Sequence, residues 1–149
     1  MKYNSIDDIL DFAIREEQAA ADFYTDLAHN ADNSAMRDAL LEFSREEKAH
    51  KTRLIAVKKD ASLMPAGPTT PDLKIADYTI DVAISSDMSY QDALIVAMKK
   101  EKAALKMYTD LAAAATDASL KQTLLALAQE EAKHKLRFEM EYDDLAKDM

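Results

Sequence analysis

Six residues stand where a helical chain should be apolar: Glu17, Glu47, His50, Glu101, Glu131 and His134. Leu10, Ala13, Glu17, Ala20, Tyr24, Leu27 and Ala31 follow one another in steps of three and four, which places them on one helix face. Leu94, Ala97, Glu101, Ala104, Tyr108, Leu111 and Ala115 repeat that stripe. Glu47 and His50 interrupt the run Met36, Leu40, Phe43, Leu54, and Glu131 and His134 interrupt Leu120, Leu124, Leu127, Phe138. A lone carboxylate in a core costs several kcal/mol or takes up a proton. Six such residues in matched positions call for one shared explanation.

Their heights supply it. In an antiparallel helical hairpin, residues equidistant from the turn lie level. Glu17 and Glu47 flank the turn "ADNS" evenly, and Glu101 and Glu131 flank "ATDAS" evenly. Each His lies three residues after its Glu, on the same face. Four carboxylates and two imidazoles therefore converge at mid-height. Four ionised Glu carry −4, which two divalent cations balance. Carboxylates can bridge two metals while each imidazole caps one. Mixed Glu/His sites with open positions suit iron or manganese, and the donor set also admits zinc. Two metals roughly 3.5–4 Å apart can bind a small oxygen species between them.

The elements that must position these side chains are written twice. At an offset of 84, the segment from Ser5 to Arg53 matches Ser89 to Arg137 with 20 identities in 49 positions. "YTDLA" recurs unchanged, and "EEKAHKTR" faces "EEAKHKLR". An internal duplication is the simplest cause. Each copy reads as two helices. Ser5 and Ser89 are N-caps followed by Asp8 and Asp92, a variant capping box, and Asn33 and Asp117 cap the second helix of each copy. The expected architecture is an all-α four-helix bundle: hairpin 5–62, crossover 63–88, hairpin 89–147, forming one domain over 1–149.

The crossover holds the only Gly and all three Pro, which should stop the second helix after about Leu63. Tyr78, Ile80, Val82 and Ile84 alternate with Thr79, Asp81 and Ala83, suggesting an extended segment along the bundle, with a short helix as the rival. A connection this long lets the second hairpin start at the same end as the first.

Composition narrows the function. Of 149 residues, 48% are hydrophobic and 32% charged, and Ala, Leu, Glu, Lys and Met favour long helices. The net charge of −9 argues against nucleic acid and anionic membranes. The absence of Cys excludes disulfides, iron–sulfur clusters and Cys-ligated zinc. No apolar run approaches the roughly 20 residues of a membrane span, and the N-terminus is charged where a signal peptide is apolar, so the expected location is cytoplasmic.

Helical bundles that hold two metal ions use this donor set: a Glu from each of two helices and Glu-x-x-His from the other two. On those residues, and on "EEQAAADFYTDLA", "EKAALKMYTDLA", "EEKAH" and "EEAKH", nearly the whole chain resembles the rubrerythrin branch of the ferritin-like superfamily. The resemblance implies a di-iron centre held by Glu17, Glu47, His50, Glu101, Glu131 and His134, with manganese or zinc as substitutes. It implies a non-haem di-iron oxidoreductase that reacts with hydrogen peroxide or dioxygen. The metals would be reset by an external electron donor such as a rubredoxin, since the Cys-rich iron site of full-length members has no counterpart among these residues. A homodimer is implied as well. Where many members carry a further Glu one turn after the third-helix ligand, this chain has Ala104. The site is thereby more symmetric, as in bacterioferritin-type ferroxidase centres. A ferroxidase or iron-handling protein is therefore the second reading, and a structural bundle with a vestigial site the third.

Around the six, Tyr24 and Tyr108 either hydrogen-bond ligand carboxylates, lie on an electron path, or simply pack in the core. Glu16, Glu46 and Glu130 lie off the stripes, facing solvent or supporting ligands from outside. Asp26 and Asp110 read as surface or inter-helix polar contacts, His29 as a surface loop residue, and the eight Met as gap-fillers.

Overall fold

The structure is a computed structural model that describes residues 5–60, 74–80 and 88–147. Four long helices carry the fold: α1 (Ile6–His29), α2 (Ser34–Lys59), α3 (Tyr90–Ala114) and α4 (Ala118–Lys147). All four expected caps are in place. Ser5 Oγ accepts from the Asp8 amide at 3.0 Å, and Asp8 accepts from the Ser5 amide at 3.3 Å, closing the capping box. Ser89 accepts from the Asp92 amide at 3.1 Å, Asn33 from Met36 at 3.0 Å and Asp117 from Leu120 at 2.9 Å. Each bond satisfies an amide that the helix itself leaves open.

Short turns fold α1 onto α2 and α3 onto α4 as two antiparallel hairpins, and the hairpins meet with α1 on α3 and α2 on α4. The apolar residues form two clusters with the polar layer between them. One contains Ile6, Ile9 and Leu10 of α1, Leu54 of α2, Leu111 of α3, and Leu120 and Leu124 of α4. The other contains Leu27 and Ala31, Met36 and Leu40, Ala93 and Leu94, and Phe138.

The membership of these clusters corrects one expectation. The start of α1 lies with the end of α3, so the second hairpin begins at the opposite end of the bundle from the first. The crossover must therefore climb the bundle, about 39 Å for the 26 residues of α2 at 1.5 Å each. Its length serves that climb and not a return to the starting end.

Two further boundaries differ from expectation. Helix α2 ends at Lys59, with Asp60 already extended, ahead of the expected stop at Leu63, which itself lies outside the described residues. Within the crossover, Ile75–Tyr78 is a short 3-10 helix that meets the expected extended segment only at Tyr78. The chain turns extended at Thr79, with Tyr78 buried, Thr79 exposed and Ile80 half-buried. Val82 and Ile84 lie outside the described residues.

Candidate metal centre

All six polar residues are buried, none more than 3% exposed. They form two overlapping groups: Glu17, Glu47, His50 and Glu131, and Glu47, Glu101, Glu131 and His134. Within each group the donor atoms lie within 4.8 Å of one another. Glu47 and Glu131 belong to both. Glu17 with His50 complete one group, and Glu101 with His134 the other.

The donor atoms fit metal ions better than they fit one another. Glu17 Oε2, Glu47 Oε1, Glu101 Oε2, Glu131 Oε2 and His134 Nδ1 are buried without a hydrogen-bond partner. Each such atom costs about 1–3 kcal/mol, more when charged. A single cause that answers all five is a pair of cations among them, with Glu47 and Glu131 shared.

Electrostatics agree. Burial pushes Glu47 well above the ordinary carboxylate range, and the charges of Glu101 and Glu17 add to it. Burial and the same two charges do likewise to Glu131. Glu101 moves the other way. Burial works to raise it, but Glu131, the His134 imidazole and the Tyr24 hydroxyl together hold it low. Burial alone would lower His134, yet Glu101 and Glu47 push it up to about 11. Without metal, protons occupy this cluster in place of cations.

A second ring of contacts holds four of the six in place, and every one of them crosses between the two hairpins. Tyr24 of α1 donates its hydroxyl to Glu101 Oε1 of α3, and Tyr108 of α3 donates to Glu17 Oε1 of α1. Burial, and next the charge of the carboxylate it bonds, pushes each phenol well above the ordinary tyrosine range. Both therefore stay protonated and act as donors. Of the three readings of these tyrosines, the hydrogen bond to a core carboxylate is the one observed. Tyr24→Phe is expected to destabilise the protein by about 1–3 kcal/mol in chemical denaturation, since a buried charged oxygen loses its donor.

His50 is held at both ring nitrogens and His134 at Nε2. His50 Nδ1 lies 2.7 Å from Glu131 Oε1, and its Nε2 lies 2.8 Å from Glu130 of α4. His134 Nε2 lies 2.8 Å from Glu46 of α2, while its Nδ1 lies 3.1 Å from Glu47. Outer carboxylates at Nε2 fix the tautomer and turn Nδ1 inward, the arrangement that orients metal-binding imidazoles. Glu130 is steadied by Arg53 at 3.2 Å. Phe43 packs on the His134 ring with centroids 4.2 Å apart.

Glu46 and Glu130 were the residues whose role spacing left open. The signal was present: the Glu-Glu doublets at 46–47 and 130–131 survive the duplication. What spacing could not tell is that each outer Glu serves the histidine of the other hairpin. Glu16, by contrast, faces a pocket and not a histidine. Asp110 accepts from the Tyr78 hydroxyl at 2.9 Å, an inter-element contact as expected. His29 ends α1, exposed.

A pocket of about 300 Å³ reaches the centre between α1 and α3. All four core Glu line it and neither His does. The histidines thus close one side of the centre, and the carboxylates face the open side. Phe12, Ala20, Ala104 and Met107 form apolar walls, and Tyr78 to Ile80 of the crossover contribute to the rim. Ala104 leaves room where a longer side chain would stand.

The rubrerythrin family model matches residues 8–142. The chain belongs to the rubrerythrin family. Two solved structures share the fold of this family member. One, from Thermotoga maritima, is described as a candidate ferritin-like diiron-carboxylate protein; it is 18% identical, with a TM-score of 0.82 over 96% of this chain and 97% of that one. The other is a hypothetical protein from Pyrococcus furiosus, 24% identical, with a TM-score of 0.74 over 96% of this chain and 91% of that one. No curated protein matches the chain. The four-helix bundle expected from the duplication, and the ferritin-like fold implied by the resemblance, are the fold observed. No helix among the described residues is long and apolar enough to cross a membrane.

Proposed function

We propose that this rubrerythrin-family protein is a cytoplasmic di-iron oxidoreductase that reduces hydrogen peroxide with electrons from an external donor. The observation that carries the reading is the pair of overlapping donor groups sharing Glu47 and Glu131, with their carboxylate face open to a pocket. Two iron ions held there would supply two electrons, the number that converts one peroxide and two protons to two waters. Dioxygen needs four for full reduction to water, which is why peroxide is placed first.

The chain's own residues divide the remaining work. Glu17 with His50, and Glu101 with His134, would each hold one metal, while Glu47 and Glu131 would hold both. Tyr24 and Tyr108 keep one oxygen of Glu101 and Glu17 occupied, which leaves the other, Oε2, for the metal. Glu46 and Glu130 hold the imidazoles from outside. The apolar walls of the pocket restrict water around the carboxylates and strengthen their electrostatic interactions. With no Cys among the 149 residues, reducing equivalents come from outside them.

Stopped-flow absorbance tests the reading. The Fe(II)-loaded protein is expected to oxidise faster with stoichiometric peroxide than with dioxygen at equal concentration, and to turn over only when a donor is supplied. The ferroxidase reading is favoured by one observation, the Ala104 wall that leaves the two halves of the site alike. Faster reaction with dioxygen would move that reading into first place. Ala104→Glu would then test whether this position sets the choice.

A further inference from the structure

The two halves of the duplication diverge most in charge on the outer face of the first helix of each hairpin. On α3, Lys99, Lys102 and Lys106 lie in steps of three and four, on one face. Their counterparts on α1 are Arg15, Gln18 and Asp22, so three positive charges stand against a net of zero. The three lysines line an open groove of about 250 Å³ with Ala103 and with Asp77 and Ile80 of the crossover. Lys106 is matched by Asp110 at 3.0 Å and lies 5.1 Å over the Tyr78 ring. Lys99 and Lys102 are exposed and make no ion pair among the described residues. Three bases of α2 differ in this respect: Arg45 pairs with Glu42, Arg53 with Glu130 and Lys58 with Asp11.

Position gives the groove its meaning. Lys102 follows Glu101 directly, so the groove lies on the outer side of the helical turn whose inner side carries a core carboxylate. The separation is one helix width, about 10–12 Å with side chains. Ile80 borders both the groove and the pocket that opens onto the centre.

We propose that this lysine-lined groove is the docking site of the electron donor, and that the donor is an acidic one-electron carrier protein. The inference rests on the peroxide-reducing reading above. Charge complementarity selects the partner. The chain as a whole carries −9, so an acidic protein is repelled by most of its surface and turned towards this strip. The groove is open and runs about 10 Å along α3, from Lys99 to Lys106, at 1.5 Å per residue. That shape suits the surface of a protein, with Ile80 and Ala103 as an apolar centre inside a charged rim. Two encounters, each oxidising one carrier by one electron, supply the two electrons that one peroxide consumes with two protons.

The probe is a reduced acidic rubredoxin, mixed anaerobically with the oxidised, iron-loaded protein at low ionic strength. Lys99→Glu with Lys102→Glu should slow reduction roughly tenfold or more. Lys59→Glu with Lys121→Glu, exposed lysines at one end of the bundle, makes the same charge change and should slow it less than about twofold. The difference should close at about 0.5 M salt. Carbodiimide cross-linking reads the surface without turnover, whether or not metal is bound: links to rubredoxin should fall on Lys99 and Lys102. Equal slowing by both pairs, no slowing, no reduction of the unaltered protein, or cross-links elsewhere would overturn the proposal. Oxidation of the reduced protein by peroxide needs no donor. Its failure would sink the functional reading by itself, while the cross-links would still decide the docking surface.

Discussion

Anaerobic titration with Fe(II) is expected to saturate at about two ions per chain, with both ions lost or reduced to one in Glu47→Ala and Glu131→Ala. The expectation follows from sharing. Glu47 and Glu131 each belong to both donor groups, so removing either takes a ligand from two metals at once. Removing Glu17 or Glu101 strips only one group. Glu46→Ala and Glu130→Ala should behave differently again. These residues touch the outer nitrogen of His134 and His50 and no inner donor, so stoichiometry should stay at two while affinity falls roughly 10–100-fold. Saturation of the unaltered protein at a single ion would remove the dinuclear reading and everything built on it.

Metal removal should have the largest effect on stability. At a free metal concentration of about 1,000 times Kd, one site adds about 4 kcal/mol, and two sites about 8 kcal/mol. At about 2–4 °C per kcal/mol for a chain of this size, the metal-free protein should melt on the order of 15–30 °C lower at pH 7. Its pH dependence has a definite sign. Glu47 and Glu131 are raised in the folded state, so their contribution is complete below the ordinary Glu value and is lost as pH climbs through the raised ones. His134, pushed up to about 11, acts in the same direction: its contribution is complete below the ordinary His value and declines as pH approaches that figure. Glu101 is lowered, and its contribution is lost only as pH falls through its lowered value. The metal-free protein should therefore melt higher as pH falls from about 8 towards 6, before general acid unfolding. The metal-loaded protein should lose affinity over the same range, because protons compete for the ligands. Calorimetry at several pH values, with and without chelator, separates the two trends. Equal melting temperatures at pH 7 would contradict the argument.

The polar cluster thus has two uses of one arrangement. It is unfavourable as a core without cations, and that same crowding of carboxylates is what would give it affinity for them. The apolar clusters on either side keep the layer from relaxing apart, since each joins all four helices. Stability at the two ends of the bundle therefore holds an otherwise repulsive middle.

The sequence by itself determined what is local. The steps of three and four gave four helix faces, and Ser5, Asn33, Ser89 and Asp117 marked where each helix starts. The even spacing of Glu17 and Glu47, and of Glu101 and Glu131, about their turns was enough to set them level, because a short turn leaves a hairpin only one register. All six core polar residues were legible for that reason.

Only the tertiary structure decided how the two hairpins meet. Duplicated halves present the same faces whether they run in the same sense or opposite ones, so periodicity is silent on the choice. The crossover makes it, by delivering the start of α3 to the far end of the bundle. With α1 and α3 opposed, a step forward on one helix meets a step back on the other. Tyr24 thereby reaches Glu101 while Tyr108 reaches Glu17. The same opposition of α2 and α4 sends Glu46 to His134 and Glu130 to His50. Spacing along one helix constrains only residues on that helix and its hairpin partner. Contacts between hairpins depend on their relative direction, and that is set by where a long connection ends.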